Sequence, residues 1–471
     1  MIDLQTSAQA IGAQATGEAR FNAVLTDSRA LRAGCLFVAL RGERFDGHDF
    51  LDAARQAGAV AAMVDRAWAD AHPAGGDLPW LVVDDTRDGL GALAAWWRTQ
   101  FDIPLIGVTG SNGKTTVKEM CAAIASAWVA RAGGDPAAAV LATAGNFNND
   151  IGLPLTLLRL RAEHRVAIIE MGMNHPGEIA YLSGLAAPTV AVISNALRAH
   201  LAGVGDLDGV AREKGAIYGG LVAGGTAVIN ADDAFAPYWQ GLNRDRRMLT
   251  FGLSAGAGVR ADCELHGLGV RMCLHHDGQT TCFPLRVPGL HNARNACAAA
   301  AACLAAGMTL DDVTAGLSSY QGTRGRLTQR AGLHGATVLD DTYNANPDSA
   351  RVAIDVLAAT PGRKVLVLGD MGELGEASAQ MHDEVGGYAK SQGIDHLLAL
   401  GQASVVAARN FGAGGEHFER IDDLIAVLKK LMDENTVVLV KGSRFMRMER
   451  VANAVVADTG AGAGGEANHA A

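Results

Sequence analysis

The chain has 471 residues, 49% of them hydrophobic, and carries a formal net charge of −10 at pH 7. At about 150 residues per domain, this length predicts about three domains, and the apolar content is sufficient for a core in each. The acidic balance excludes nucleic-acid binding as the main task, because that task requires a basic surface. An anionic ligand would need a local cluster of positive groups.

We expect neither a signal peptide nor a membrane span. The first 20 residues lack a basic start followed by an apolar stretch. The longest uncharged run, residues 179–197, contains Gly184, Pro188 and Asn195, which favours helix, turn and strand over a membrane span. The seven cysteines are odd in number and lack Cys-x-x-Cys spacing, so we expect reduced thiols and a cytoplasmic protein.

Residues 1 to about 100 form the first predicted block, in which short strands precede a closing helix around Leu90–Trp97. A polar stretch, Arg41–His48, lies inside this block. The predicted strands are Ala23–Thr26, Cys35–Leu40, Ala59–Val64 and Trp80–Val83.

A glycine-rich turn follows an apolar strand that begins at Ile103; the turn ends in Lys114–Thr116, and a helix-like segment follows it. Glycine N–H groups and a helix N-terminus bind phosphate, lysine adds a full charge, and the next hydroxyl can hold Mg²⁺. Val108 stands where the usual P-loop has a glycine, so the loop is a variant; the alternative is a chance Gly-Lys-Thr turn. The predicted phosphate-binding residues are Thr109, Gly110, Ser111, Asn112, Gly113, Lys114, Thr115 and Thr116.

The central block alternates strands and helices, which predicts a parallel sheet covered by helices. A β-rich insert, Gly258–Val287, and an alanine-rich helix, Asn292–Ala306, complete it. The predicted alternating elements are strands Val166–Glu170, Thr189–Ser194 and Thr226–Asn230 and helices 176–186 and 206–222.

Glu170 ends a predicted strand near the phosphate loop, where a carboxylate suits Mg²⁺. The alternative is a polar residue that merely follows a strand. His200 lies just past the next strand, and a single loop histidine is either a ligand or simply solvated.

Lys214 shares one helical face with four apolar or aromatic residues. Such a lysine either extends its amine to solvent or is functional. Burial would lower its pKa, and a neutral amine can add CO₂ to form a carbamate, an anionic metal ligand.

Residues 143–152 place three asparagines in one turn. Asn146 and Asn149 can both donate and accept hydrogen bonds, which suits a polar substrate. An ordinary asparagine-rich turn explains the same pattern.

The third block starts near Arg330 and alternates again. Asp340–Pro347 follows a strand, so its carboxylates could bind ribose hydroxyls or cap the next helix. Arg326 precedes the block and could reach a phosphate, and Lys441–Arg444 is a second candidate anion site. The predicted elements are strands Thr337–Asp340, Lys364–Gly369, His396–Leu400 and Thr436–Lys441 and helices 348–359 and 379–392.

These residues resemble the ATP-dependent Mur ligases of peptidoglycan synthesis over nearly the whole chain. Val108 at the usual glycine position is normal in the shorter loop of that family. A DNPR-type motif, which serves diaminopimelate in the member that adds the third peptide residue, is absent from the sequence. The stretches that carry the resemblance are Thr26–Arg29, Gly34–His48, Thr109–Thr116, Ala144–Gly152, Asp340–Pro347, Leu368–Gly375 and Lys441–Arg444.

The resemblance implies an α/β fold of three domains. The first, residues 1–100, would be an α/β domain that binds the UDP end of the substrate. The second, 101–329, would be an ATPase-like domain with a P-loop and a parallel sheet, and the third, 330–458, would be Rossmann-like. Residues 459–471 are rich in glycine and alanine and are expected to be a disordered tail.

The resemblance also implies roles for single residues. Lys114, Glu170, His200 and Lys214 would be catalytic. Mg²⁺ would occupy two sites, one at Thr115 and Glu170 and one at Glu170, His200 and Lys214, with carbamylation of Lys214 left open. The further contacts would be Asn292 and Asn295 at the adenine, Asp341 at the ribose, Arg326 at the γ-phosphate, Ser28 and Arg29 at the uridine diphosphate, and Asn146, Asn149, Asn174 and His175 at the muramyl peptide.

The activity implied is ATP-dependent joining of D-alanyl-D-alanine to UDP-N-acetylmuramoyl-tripeptide by an enzyme that is most simply a monomer. Another amide ligase of the same superfamily, such as the tripeptide-forming member or folylpolyglutamate synthase, is the nearest alternative. A nucleotide-binding regulatory module without ligase chemistry is a more distant one, disfavoured by the presence of Lys114 and Glu170.

Overall fold

A computed structural model describes residues 1–72, 77–198 and 201–457. His200 and the predicted tail therefore lie outside the described residues. The chain separates into two compact units: the first is Met1–Arg286 with Leu290–Gln321, and the second is Val287–Gly289 with the chain from Gly322 onward. The exact domain limits given above stay predictions.

The N-terminal part of the first unit contains a five-stranded sheet of order β2-β7-β6-β5-β4, in which only β2 runs antiparallel to its neighbour. The strands of this sheet are β2 (Gln14–Ala15), β4 (Ala23–Leu25), β5 (Cys35–Val38), β6 (Ala61–Asp65) and β7 (Trp80–Val83). Two further strands, β1 (Ile2–Asp3) and β3 (Arg20–Phe21), form a separate antiparallel ribbon. The helices of this N-terminal part are α1 (Leu4–Ile11), α2 (Leu51–Gln56), α3 (Arg66–Ala71) and α4 (Thr86–Arg98).

A nine-stranded sheet of order β16-β15-β14-β13-β12-β11-β8-β10-β9 forms the rest of the first unit. Its strands are β8 (Leu105–Thr109), β9 (Val140–Ala142), β10 (Val166–Glu170), β11 (Val190–Ile193), β12 (Thr226–Asn230), β13 (Arg247–Gly252), β14 (Val259–His266), β15 (Gly269–His276) and β16 (Gln279–Leu285). Its helices are α5 (Lys114–Arg131), α6 (Pro136–Ala139), α7 (Gly152–Leu157), α8 (Glu178–Ala186), α9 (Leu201–Val204), α10 (Leu207–Gly215), α11 (Ala236–Leu242), α12 (Leu290–Ala305) and α13 (Leu310–Ser319).

Strands β8 to β14 pair in parallel, which confirms the predicted parallel sheet, while β15 and β16 add an antiparallel extension. The central strands are buried on both faces, as their runs of valine and isoleucine require. Strand β8 lies between β10 and β11, so the turn after β8 is flanked by the ends of both neighbours.

The two sheets of the first unit share one hydrophobic core. Helix α4 packs on α7 and α8, and the Trp97 indole N–H donates to the Leu160 carbonyl at 3.1 Å. Gly91 on α4 permits this approach, because a Cβ there would lie 2.1 Å from the Tyr181 hydroxyl oxygen. The N-terminal sheet is therefore fixed against the central one by side-chain packing.

The second unit is built on a six-stranded sheet of order β17-β18-β22-β19-β20-β21, parallel except for β17. Its strands are β17 (Thr328–Ala331), β18 (Thr337–Asp341), β19 (Arg363–Gly369), β20 (His396–Leu400), β21 (Gly415–Phe418) and β22 (Thr436–Lys441). Its helices are α14 (Pro347–Ala358), α15 (Ser378–Ser391), α16 (Val405–Phe411), α17 (Ile421–Leu431) and α18 (Glu449–Ala454).

The expectation of seven reduced thiols is wrong for two of the cysteines. Cys273 and Cys282 form a disulfide with a sulfur–sulfur distance of 2.04 Å. They face each other across the antiparallel pair β15 and β16, so a separation of nine residues brings them together without Cys-x-x-Cys spacing. The other five cysteines are free thiols.

No helix among the described residues is long and apolar enough to span a membrane.

Candidate active site

The turn after β8 is held against the end of β11 by side-chain hydrogen bonds. The Asn112 backbone N–H donates to Asn195 Oδ1 at 2.9 Å, and the Ser194 hydroxyl donates to the Asn112 carbonyl at 2.6 Å. Gly110 has a φ of 148°, and a Cβ there would lie 1.9 Å from Ser194 Oγ. Gly110 therefore needs glycine both for its backbone conformation and for space.

Lys114 begins α5, an 18-residue helix whose N-terminus carries partial positive charge. Its ammonium donates to the carbonyls of Gly110 at 2.8 Å and Ser111 at 3.3 Å, so the side chain folds back over the turn. Thr115 and Thr116 are buried in the first turn of α5. Backbone N–H groups, helix terminus and lysine together make this turn an anion-binding site.

Glu170 ends β10 and is 2% exposed. Its strand register places it beside Val108, at the end of the strand that leads into the turn. Its Oε1 accepts a hydrogen bond from Asn148 Nδ2 at 2.7 Å, whereas its buried Oε2 has no hydrogen-bond partner among the described residues. Burying a carboxylate oxygen without a hydrogen-bond donor costs free energy of folding, and a bound cation would offset that cost. Glu170 is therefore suited to be a Mg²⁺ ligand.

The described residues contain no ready-made cluster of three or more His, Cys, Asp or Glu side chains that could hold a metal. A Mg²⁺ site here would therefore need nucleotide oxygens and water beside Thr115 and Glu170, as is usual for this ion. The predicted ligand His200 lies outside the described residues.

Lys214 on α10 is 1% exposed, so it does not extend its amine to solvent. Burial, followed by the nearby charge of Lys114, holds the pKa of the Lys214 amine well below its ordinary value. The charge of Glu213 acts in the opposite direction and raises this pKa, but by less. Glu213, beside Lys214, accepts from the Gly177 and Ile179 N–H groups at the start of α8.

The other predicted nucleotide residues of the first unit lie on α12. Asn292 and Asn295 are buried, and Asn295 Nδ2 donates to Asn292 Oδ1 at 3.2 Å. A Cβ at Gly113 would lie 2.4 Å from Asn295 Oδ1. The fold thus brings this asparagine pair directly against the phosphate-binding turn.

The predicted substrate residues lie at the ends of strands. Ser28 and Arg29 follow β4, and the Arg29 guanidinium binds the Asp27 carboxylate at 2.8 and 2.9 Å. Both side chains of this ion pair remain largely exposed. Asn174 and His175 follow β10, and their backbone N–H groups donate to Glu178 Oε2.

The asparagine side chains of the turn at residues 143–152 have different surroundings. Asn149 Oδ1 accepts from the N–H groups of Ile151 and Gly152 at the start of α7, and Asn146 is exposed. Asn148, which the sequence analysis did not select, contacts Glu170. Its presence in the same turn was visible in the sequence, but the direction of its side chain was not.

In the second unit, the Arg326 guanidinium lies 3.9 Å from the centre of the Tyr343 ring. Asp341 accepts hydrogen bonds from Lys441 Nζ at 2.5 Å and from the Leu327 N–H at 3.1 Å. Asp341 therefore has structural partners, whatever its role toward a ribose.

The fold and this turn define an α/β protein that binds nucleotide phosphate at the carboxyl edge of a parallel sheet. Residues 20–98 match the Mur ligase family catalytic domain, residues 108–303 the Mur ligase middle domain, and residues 325–444 the Mur ligase glutamate ligase domain.

Individual proteins agree with this match. The chain is 44% identical over 438 residues to the UDP-N-acetylmuramoyl-tripeptide–D-alanyl-D-alanine ligase of Escherichia coli (strain K12), covering 92% of this chain and 93% of that protein. A crystal structure of MurF from Acinetobacter baumannii is 37% identical, with a TM-score of 0.86 over 96% of this chain and 97% of that chain. MurF ligase from Thermotoga maritima in complex with ADP is 27% identical, with a TM-score of 0.78 over 92% and 96%.

The chain belongs to the Mur ligase family. Membership confirms the predicted α/β fold with N-terminal, middle and C-terminal parts, and it confirms that the family resemblance seen in the sequence was correct.

Proposed function

We propose that this chain joins D-alanyl-D-alanine to UDP-N-acetylmuramoyl-tripeptide and converts ATP to ADP and phosphate. The product is the UDP-N-acetylmuramoyl-pentapeptide precursor of peptidoglycan. The observation that carries this proposal is the phosphate-binding turn with Lys114 and the unsatisfied Glu170 oxygen beside it, in a chain whose 44% identical relative is named for this ligation. The ADP complex of the Thermotoga maritima protein supports use of ATP.

The chemistry begins with a carboxylate, which is a poor electrophile. Transfer of the γ-phosphoryl group of ATP to the terminal carboxylate of the tripeptide would give an acyl phosphate. The amine of D-alanyl-D-alanine would then attack that carbonyl carbon, phosphate would leave, and the amine would lose its proton as the amide forms. Lys114 and the N–H groups of residues 110–113 would stabilise the charge on the transferring phosphoryl group.

Thr115 and Glu170 would hold Mg²⁺, which neutralises charge on the nucleotide phosphates when bound. For a second metal, we propose His200 and Lys214 with Glu170. The lowered pKa of the Lys214 amine favours its neutral form, and a neutral amine adds CO₂ to give a carbamate and release a proton. The buried carbamate would supply the anionic oxygen that an unmodified lysine lacks.

The remaining roles are proposals of the same kind. They are Asn292 and Asn295 at the adenine, Asp341 at the ribose, Arg326 at the γ-phosphate, Ser28 and Arg29 at the uridine diphosphate, and Asn146, Asn149, Asn174 and His175 at the muramyl peptide. We also infer a monomer, and a cytoplasmic location because ATP and nucleotide-linked precursors are found there.

Product formation from the two named substrates with ATP and Mg²⁺ tests the proposal. Lys114→Ala is expected to lower the rate of pentapeptide formation by about 10²–10³-fold, because a preorganised charge at the phosphoryl group is lost. Lys390→Ala is the matched control, since Lys390 Nζ also donates to a backbone carbonyl but lies on α15. A Lys114→Ala enzyme of normal activity would refute the assignment of the turn, and a wild-type enzyme that uses only another amine or acceptor would refute the substrates.

A further inference from the structure

The carboxylate of Glu170 is held on one side only. Asn148 Nδ2 donates to Oε1 at 2.7 Å, while the buried Oε2 lacks a hydrogen-bond partner among the described residues. An ionised carboxylate is an acceptor at both oxygens, so one is satisfied and the other is left for a different positive group.

Asn148 is itself fixed by the backbone next to Glu170. The Gly172 N–H donates to the Asn148 carbonyl at 2.8 Å, and the Asn148 N–H donates to the Asn146 carbonyl at 2.6 Å. A Cβ at Gly172 would lie 2.8 Å from Asn148 Oδ1. The turn therefore lies tightly against the chain just beyond β10, and the amide has little room to move away from the carboxylate.

The backbone of Glu170 is tied to the same segment. Its N–H donates to Thr143 Oγ1 at 2.9 Å, so both ends of this residue are held from residues 143–148. The side chain of neighbouring Asn149 is bound elsewhere, because its Oδ1 accepts from the Gly152 N–H at the start of α7 at 2.8 Å.

We propose that Asn148 is a positioning residue that holds Glu170 Oε1 and thereby directs Oε2 toward the Mg²⁺ of the bound nucleotide. This inference rests on the proposed function. Carboxylates that bind metals are commonly oriented by such outer hydrogen bonds, and their loss weakens metal binding by about 10–100-fold.

Mn²⁺ binding in the presence of ADP, followed by electron paramagnetic resonance, tests the proposal without relying on turnover. Asn148→Ala is expected to weaken Mn²⁺ binding by about 10–100-fold, and Asn148→Gln, which keeps the amide donor, by less. Asn410→Ala is the control, because Asn410 Nδ2 also donates to a carboxylate, Asp383 Oδ2 at 3.1 Å, on the surface of the second unit.

Kinetics separates positioning from a merely structural role. With Asn148→Ala, the Mg²⁺ concentration for half-maximal rate should rise and the rate should partly recover at saturating Mg²⁺. A structural role would lower the rate and the melting temperature with no shift in Mg²⁺ dependence. A folded Asn148→Ala protein with wild-type Mn²⁺ affinity overturns the inference. Wild-type protein that binds Mn²⁺ with ADP but makes no pentapeptide would instead refute the proposed function.

Discussion

Two of the buried lysines, Lys214 in the first unit and Lys441 in the second, have different surroundings. Lys441 ends β22 and is 2% exposed, and its ammonium contacts Asp341 Oδ2 at 2.5 Å and the Asn344 carbonyl at 3.0 Å. Lys214 is 1% exposed, and the largest influence on its pKa is burial, followed by repulsion from Lys114. Lys441 contacts a buried carboxylate directly, whereas the charges that act on Lys214 are the cation of Lys114 and, to a smaller extent, the carboxylate of Glu213.

The difference teaches that burial alone does not decide what a lysine does. At Lys441 a carboxylate partner compensates the loss of hydration, and the contacts to Asp341 and to the Asn344 carbonyl tie the end of β22 to the segment after β18. Without such compensation the neutral amine is favoured, and a neutral amine is a nucleophile toward CO₂. We therefore infer a structural role for Lys441 and a chemical role for Lys214.

The largest expected effect is on activity at Lys214. Lys214→Ala should lower pentapeptide formation by about 10²–10³-fold, because the ligand that we propose for the second metal would be lost, and with it part of the electrostatic stabilisation of the transferring phosphoryl group. If the lysine is a carbamate, added short carboxylates should restore part of the rate, measured by ADP release. Absence of rescue in a well-folded variant would count against the carbamate and leave a plain structural lysine.

The next effect is on stability at Lys441. Lys441→Met leaves Asp341 buried without its ammonium, so the second unit should lose about 3–5 kcal/mol of unfolding free energy. Circular dichroism in a denaturant series measures this loss. Tryptophan fluorescence would not, because all six tryptophans lie in the first unit. Lys441→Met with Asp341→Leu should recover most of the loss. A single variant as stable as wild type would show that the ion pair is not structural.

The smallest effect is a pH dependence. The folded pKa of Lys214 lies well below its ordinary value of 10.5, so between the two values the unfolded chain binds a proton that the folded chain does not. The free energy of unfolding should therefore increase with pH across this interval, by at most about 1.4 kcal/mol per pH unit. Below the folded pKa this dependence on pH should disappear, because both states then bind the proton.

Tryptophan fluorescence in CO₂-free denaturant series measures this slope in the first unit. Lys214→Met should abolish this pH dependence of the free energy of unfolding, whereas Lys441→Met should leave it unchanged. An identical slope in wild type and Lys214→Met would mean that the Lys214 amine keeps its charge when folded.

Much of the fold followed from local patterns. Strands β10, β12, β20 and β22 have the bounds that the sequence predicted, because long valine- and leucine-rich runs between turns are strong signals. The short edge strands β9 and β21 were missed, since three or four residues carry little periodicity. The helix predicted over 206–222 ends at Gly215 and continues only as a 3-10 turn, Ala216–Gly220.

The sequence by itself determined the glycine-rich turn after β8, the alternation of strands and helices in the central block, and the family, because spacing and residue type suffice for these. Only the tertiary structure decided which side chains meet. The disulfide of Cys273 and Cys282, the hydrogen bond from Asn148 to Glu170 and the different partners of Lys214 and Lys441 all join segments far apart in the chain or depend on side-chain direction. Burial and charge pairing arise from packing, so no local pattern specifies them.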